Sequence, residues 1–165
     1  MAMVDHLANV GKDVILGDHV YIGPFANLYG CKIGSNTKIG AFVEIQAGVK
    51  IGKRCKISSH SFVCRGVTIE DEVFVGHGVM FTNDKYPKAV NSSGCLMVDG
   101  EWAMQLTLVR AGSSIGSGAV IMCGVVIGAN AVIGAGAVVL HDVKDNEVVV
   151  GVPARALHSR KRAGK

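Results

Sequence analysis

An aliphatic residue returns at every sixth position through most of this chain. Val4, Val10, Leu16, Ile22 and Leu28 open the series. One residue is then dropped, and the period resumes at Ile33, Ile39, Ile45, Ile51, Ile57, Val63, Ile69, Val75 and Phe81. After a break it runs through Val109, Ile115, Ile121, Ile127, Ile133 and Val139. Of these 20 positions, 19 are Val, Leu or Ile; the next residue is Gly in ten, and the residue four further on is Ala, Val, Ser, Thr or Cys in 18. A helix would repeat at 3.6 residues and a lone strand at 2. A period of six leaves room for one short strand and one turn per unit. The aliphatic points inward, the Gly permits the turn and the small residue fills the space left inside. One unit buries almost nothing, but stacked units bury a continuous column, so the pattern predicts an all-β stack of many repeats. A narrow interior with no room for rings fits an aromatic content of 5%.

Composition narrows the class further. The 165 residues suit one domain. Gly is 22 of them without falling every third residue, which excludes collagen, and 49% hydrophobic residues exclude a disordered chain. No apolar run reaches ~18 residues, so no membrane span is expected. The start, MAMVDHLANVGKD, lacks a basic stretch followed by an apolar one, which predicts a cytoplasmic chain. Five cysteines, none paired at C-x2-C spacing, predict buried free thiols. Net charge is +4, and five of the 17 basic residues lie in the last 11 positions. That end is a solvated tail or a phosphate-binding segment. The nearly neutral body carries no stacking motif for nucleic acid.

The [LIV]-G-x2-[small]-x repeat resembles that of the hexapeptide-repeat acyltransferases, over about residues 4–155. The resemblance implies a left-handed parallel β-helix with three hexapeptides per coil, hence six to seven coils. It also implies a homotrimer with active sites between subunits, and acetyl-CoA as co-substrate. Residues 1–152 are expected to form the β-helix and residues 153–165 a basic C-terminal tail or short helix. Gly151-Val152-Pro153-Ala154-Arg155 resembles the segment that closes the β-helix in sugar acyltransferases. In that family the region lies near the nucleotide end of coenzyme A, which makes Arg155, Arg160 and Lys161 candidates for its phosphates. The pantetheine arm favours small residues in register on successive coils, and Ala111 and Ala129, 18 apart, fit that.

Residues 82–108 break the period, and a connection that long predicts a substrate-binding loop. Its entry, Phe81, Thr82, Asn83 and Pro87, resembles the F-T-N-x3-P of enzymes that acetylate the 3-amino group of UDP- or dTDP-linked deoxysugars for surface polysaccharides such as the lipopolysaccharide O-antigen. The chemistry needs a neutral amine to attack a thioester, a proton acceptor near it and a donor for the developing oxyanion. Asn83 offers an amide for either orienting role or begins an N-D-K-Y-P turn. Asp84 orients the amine or is solvated. Thr82, Lys85, Tyr86 and Pro87 are substrate-binding candidates by their place at the loop entry. His77 is the candidate base or a corner residue. His60, 17 residues earlier, is substrate-facing or structural.

Rival classes leave marks that are missing here. The same helix builds γ-class carbonic anhydrases, whose zinc site needs an H-x4-H pair, and none occurs. A scaffold protein needs no such loop. An O-acetyltransferase acting on a sugar, serine or xenobiotic hydroxyl stays open and depends on His77, because a hydroxyl needs deprotonation more than an amine does.

Overall fold

The computed structural model describes residues 1–157, and every regular element among them is a β-strand. The first coil holds β1 (Met3–Val4), β2 (Asn9–Val10) and β3 (Ile15–Leu16); the second holds β4 (Tyr21–Ile22), β5 (Asn27–Leu28) and β6 (Lys32–Ile33). The third holds β7 (Lys38–Ile39), β8 (Glu44–Ile45) and β9 (Lys50–Ile51), and the fourth β10 (Lys56–Ile57), β11 (Phe62–Val63) and β12 (Val67–Ile69). The fifth is β13 (Phe74–Val75), β14 (Met80–Phe81) and, after the long loop, β15 (Thr107–Val109). The sixth is β16 (Ser114–Ile115), β17 (Val120–Ile121) and β18 (Val126–Ile127). Then come β19 (Val132–Ile133), β20 (Val138–Val139), β21 (Val148–Val150) and β22 (Arg155–Ala156).

Up to β20, each strand pairs in parallel with the third one after it, which gives three faces. The first runs β1-β4-β7-β10-β13-β16-β19-β21-β22, the second β2-β5-β8-β11-β14-β17-β20 and the third β18-β15-β12-β9-β6-β3. This is the left-handed parallel β-helix that the resemblance implies. The inward residue of each strand is the periodic aliphatic: Ile22, Ile39, Ile57, Ile115 and Ile133 on the first face are at most 1% exposed. Each such side chain contributes about 1.5–3 kcal/mol when fully buried.

Two further inward residues extend the expected six to seven coils to seven and the start of an eighth. Val143, four residues after Val139, bridges to Ile127, and Val149 in β21 pairs with Ile133. The stack ends on a strand where a short helix was one expectation. β22 runs antiparallel to β21, with Val149 facing Ala156.

Two sequence-based inferences need correcting. The interior does admit one ring: Phe81 is the largest fully buried side chain. The glycines after the aliphatics do not supply the turn conformation. Positive φ falls two residues later, at Phe25, Asn36, Phe42, Arg54, His60 and their equivalents, at φ 54–63°. The glycine instead admits the next coil. A Cβ on Gly40 would stand 2.7 Å from the Ser59 nitrogen, and one on Gly17 2.6 Å from that of Ser35.

Candidate active site

The predicted site residues fall at different corners of the triangle. His77 lies at the corner between the first and second faces, just before β14. Asn83 lies at the corner between the second and third faces, just after it. The two line separate clefts, His77 with Lys38 and Lys56 and Asn83 with Arg65 and Trp102.

At the first corner His77 is exposed and held from two sides. Its backbone N–H donates to Ser117 Oγ at 3.1 Å, and its Nδ1 lies 2.8 Å from Ser59 Oγ. Below it a cleft of about 270 Å³ is walled by Lys38, Lys56, Ser58 and Ser59. Above it run Gly78, Gly118 and Gly136, all at positive φ, where an added Cβ would meet nothing within 4 Å. Together they leave a column of backbone bare of side chains on successive coils. The sequence reading missed these three glycines; their signal was Gly three residues after the aliphatic on successive coils. His60 occupies the same corner one coil down but does not join His77, because its ring stacks on Phe42 at 4.9 Å.

The long loop leaves from the second corner. The Asn83 amide donates to the Arg65 carbonyl at 3.2 Å, and Gln105 N–H donates to the Asn83 carbonyl at 3.1 Å, so the loop's entry and exit are tied through one residue. Arg65 also pairs with Asp99 of the loop at 3.2 Å. These contacts wall a cleft of about 430 Å³ with Tyr29, Phe62 and Trp102. Arg65 and Trp102 were not among the predicted residues. Arg65 stands 18 residues before Asn83, one coil, which is the spacing that could have exposed it.

The other loop candidates are occupied locally. Thr82 Oγ1 accepts from Cys123 N–H at 2.9 Å, joining the fifth coil to the sixth. Asp84 Oδ1 accepts from Tyr86 N–H at 2.9 Å, which closes a turn. Lys85 lies over the Tyr86 ring at 5.8 Å, and Lys85, Tyr86 and Pro87 are exposed. Glu101 accepts from Val98 N–H and the Asn91 amide, and these bonds hold its carboxyl below the usual range. A recess of about 570 Å³ lies within the loop between Lys88, Asn91 and Glu101 and contains none of the predicted residues.

Ala111 and Ala129 share a column, as their spacing requires, but at the third corner. Their amides donate to Glu70 and Asp145 carboxylates at 2.9 and 2.8 Å. Their carbonyls accept from Asn130 and Asn146. The open backbone that a pantetheine arm would use there is therefore already bonded. Arg155 is exposed on β22, its guanidinium donating to the Ala154 carbonyl at 2.9 Å. Arg160 and Lys161 lie outside the described residues. Among the described residues no group of three or more His, Cys, Asp or Glu is placed to hold a metal ion, and no helix is long and apolar enough to cross a membrane.

Comparison with known proteins agrees with this architecture. The sequence model of the bacterial transferase hexapeptide family (six repeats) matches residues 30–65 and 107–141. The bifunctional protein GlmU of Staphylococcus haemolyticus (strain JCSC1435) is 30% identical over 125 residues, which are 69% of this chain and 27% of GlmU. The chain thus spans about a quarter of that relative's length. A galactoside acetyltransferase in complex with coenzyme A is 26% identical, with TM-score 0.63 over 88% of this chain and 64% of that one. A mutant of AntD, an N-acyltransferase from Bacillus cereus in complex with dTDP and coenzyme A, shares the fold at TM-score 0.67 and 19% identity, over 98% of this chain and 84% of AntD. The period of six, the three-faced stack of parallel strands and these matches together make the chain a member of the hexapeptide-repeat family.

Proposed function

We propose that the protein is an acetyl-CoA-dependent N-acetyltransferase acting on the amino group, at the 3-position, of a UDP- or dTDP-linked amino-deoxysugar. The observation that carries the reading is the alignment of His77 with the bare backbone column of Gly78, Gly118 and Gly136, where a Cβ would stand in open space. A pantetheine arm can lie along such exposed backbone, and the 26%-identical galactoside acetyltransferase was solved with coenzyme A. Arg155, further up the stack, is a candidate for the cofactor's phosphates. The thioester supplies the acetyl group and a thiolate leaving group when bound.

This chain's residues supply the remaining steps. With Nδ1–H donating to Ser59 Oγ, His77 presents an unprotonated Nε2. That nitrogen takes the proton released as the amine nitrogen bonds to the acyl carbon, and passes it to the sulfur as the C–S bond breaks. Asn83 keeps a second amide hydrogen beyond the one given to Arg65, free for the developing oxyanion. A cytoplasmic homotrimer follows from the same reading. Asn83 of one subunit meets His77 of the next when the second corner of one packs beside the first corner of its neighbour. The loop entry Thr82, Asn83 and Pro87 supports the amino-sugar class by its resemblance.

One observation favours a second reading. The Ser59–His77 bond fixes the ring as a strong base requires, which suits a hydroxyl acceptor. Thiol release from acetyl-CoA separates the two when tested on UDP- and dTDP-linked 3-amino and 4-amino sugars, serine and a simple galactoside. Turnover confined to a 3-amino nucleotide sugar supports the proposal. Turnover of hydroxyl acceptors alone replaces it with O-acetylation.

A further inference from the structure

Lys38 and Lys56 face each other across β7 and β10, in direct register. Like charges so placed repel. Among the described residues neither has a carboxylate within 4.0 Å. The ladder continues with aromatics on both sides, Tyr21 in register with Lys38 and Phe74 with Lys56. The Lys38 ammonium lies 5.1 Å from the Tyr21 ring centre and that of Lys56 5.8 Å from the Phe74 ring centre. The rings hold the two cations in place without neutralising them.

Both lysines wall the cleft below His77, and so does Ser58. The position of Ser58 is glycine in the coils directly below and above, at Gly40 and Gly76. Ser58 is 5% exposed, and its Oγ has no hydrogen-bond partner among the described residues. A buried hydroxyl left this way is costly unless something else satisfies it. At the adjoining corner Phe25 and Phe42 stack at 4.9 Å, each half exposed. Both hold φ of 58°, a strained backbone for a bulky residue, where the upper coils carry glycine. An unneutralised cation pair thus sits beside an exposed aromatic platform, both leading downward from His77.

We propose that this cleft seats the diphosphate of the acceptor nucleotide on Lys38 and Lys56, with the base against Phe42 and Phe25. The inference rests on the nucleotide-linked reading of the acceptor. Coils are spaced about 4.8 Å apart, so the lysines lie one and two coils below His77, within reach of phosphates attached to a sugar whose amine is at His77. The glycine column above His77 remains for the acyl donor, and the two substrates meet end to end.

The test is calorimetric binding of UDP, dTDP, inorganic pyrophosphate and uridine to the full-length protein, repeated with Lys38→Gln/Lys56→Gln and with Phe42→Gly. Both variants should fold, one losing a repulsion and the other gaining the residue that this corner carries higher up. The lysine variant should weaken UDP, dTDP and pyrophosphate about tenfold or more and leave the KM for acetyl-CoA unchanged. Phe42→Gly should weaken the nucleotides but not pyrophosphate. Nucleotide affinity unchanged in the lysine variant overturns the proposal, and so does nucleotide binding no tighter than that of uridine. Failure of the N-acetyltransferase reading looks different: nucleotide binding stays sensitive to the lysines while no amino sugar is acetylated. Conversely, acetylation of a nucleotide sugar with an unchanged acceptor KM in the lysine variant keeps the enzyme and removes this seat.

Discussion

Ser59 Oγ lies 2.8 Å from His77 Nδ1, one coil below it. The bond fixes the ring plane and, with Ser59 accepting, the tautomer that leaves Nε2 free. His77→Ala should lower kcat/KM by about 10²-fold for an amine acceptor and nearer 10⁴-fold for a hydroxyl. Ser59→Ala should cost less, because solvent can replace the hydroxyl, and the loss should fall on kcat rather than on KM. Steady-state kinetics of both variants check this. A Ser59→Ala kcat equal to that of the parent would remove Ser59 as a positioning residue.

Asn83 and Arg65 form the second pair. Asn83→Ala removes the bond to the Arg65 carbonyl and the spare amide hydrogen together. Activity should fall about 10²–10³-fold, as for loss of an oxyanion donor. Arg65→Met breaks an exposed ion pair with Asp99, worth at most about 1 kcal/mol. Its Tm should barely move, while cleavage within the loop by a nonspecific protease accelerates. Equal proteolysis of parent and variant would mean that the ion pair does not hold the loop down.

The period of six made the fold legible, because each inward column is written directly as an aliphatic every 18 residues. The pairs Ser59–His77 and Arg65–Asn83 were written in the same spacing. What the spacing does not say is which corner lies outside which face. His77 and Asn83, six residues apart, read as neighbours but stand at opposite ends of β14. Ala111 and Ala129 read as open backbone because the carboxylates that occupy their amides, Glu70 and Asp145, come from neighbouring coils. The glycine after each aliphatic likewise reads as a turn former, whereas close approach of the next coil is what demands it.

The glycine column above His77 yields its own prediction. Asn occupies the positive-φ position natively at Asn36, Asn130 and Asn146, so Gly118→Asn keeps the backbone conformation and adds bulk where nothing stands within 4 Å. The KM for acetyl-CoA should rise about tenfold, a loss of about 1.4 kcal/mol of binding, with Tm close to that of the parent. An unchanged KM would place the acyl donor elsewhere on the surface.

Burial sets the behaviour of the thiols. Cys31, Cys55, Cys64 and Cys123 are buried and Cys95 is exposed in the loop. Desolvation pushes the Cys31 thiol up to about 11 and the Cys64 thiol to about 12. Iodoacetamide at pH 8 should therefore modify the native protein at Cys95 alone, and the others only after unfolding; peptide mass spectrometry reads this directly. The same shifts predict an alkaline limb of stability. A thiol stays protonated when buried but ionises near 8.5 once unfolded. Its contribution is therefore complete below that pH, declines as pH rises toward 11–12 and is absent above it. Urea midpoints measured from pH 8 to 11 should fall for the parent and fall less steeply for Cys64→Ala, which begins less stable because of the cavity it leaves. Parallel slopes for the two proteins would show that Cys64 does not ionise on unfolding in this range.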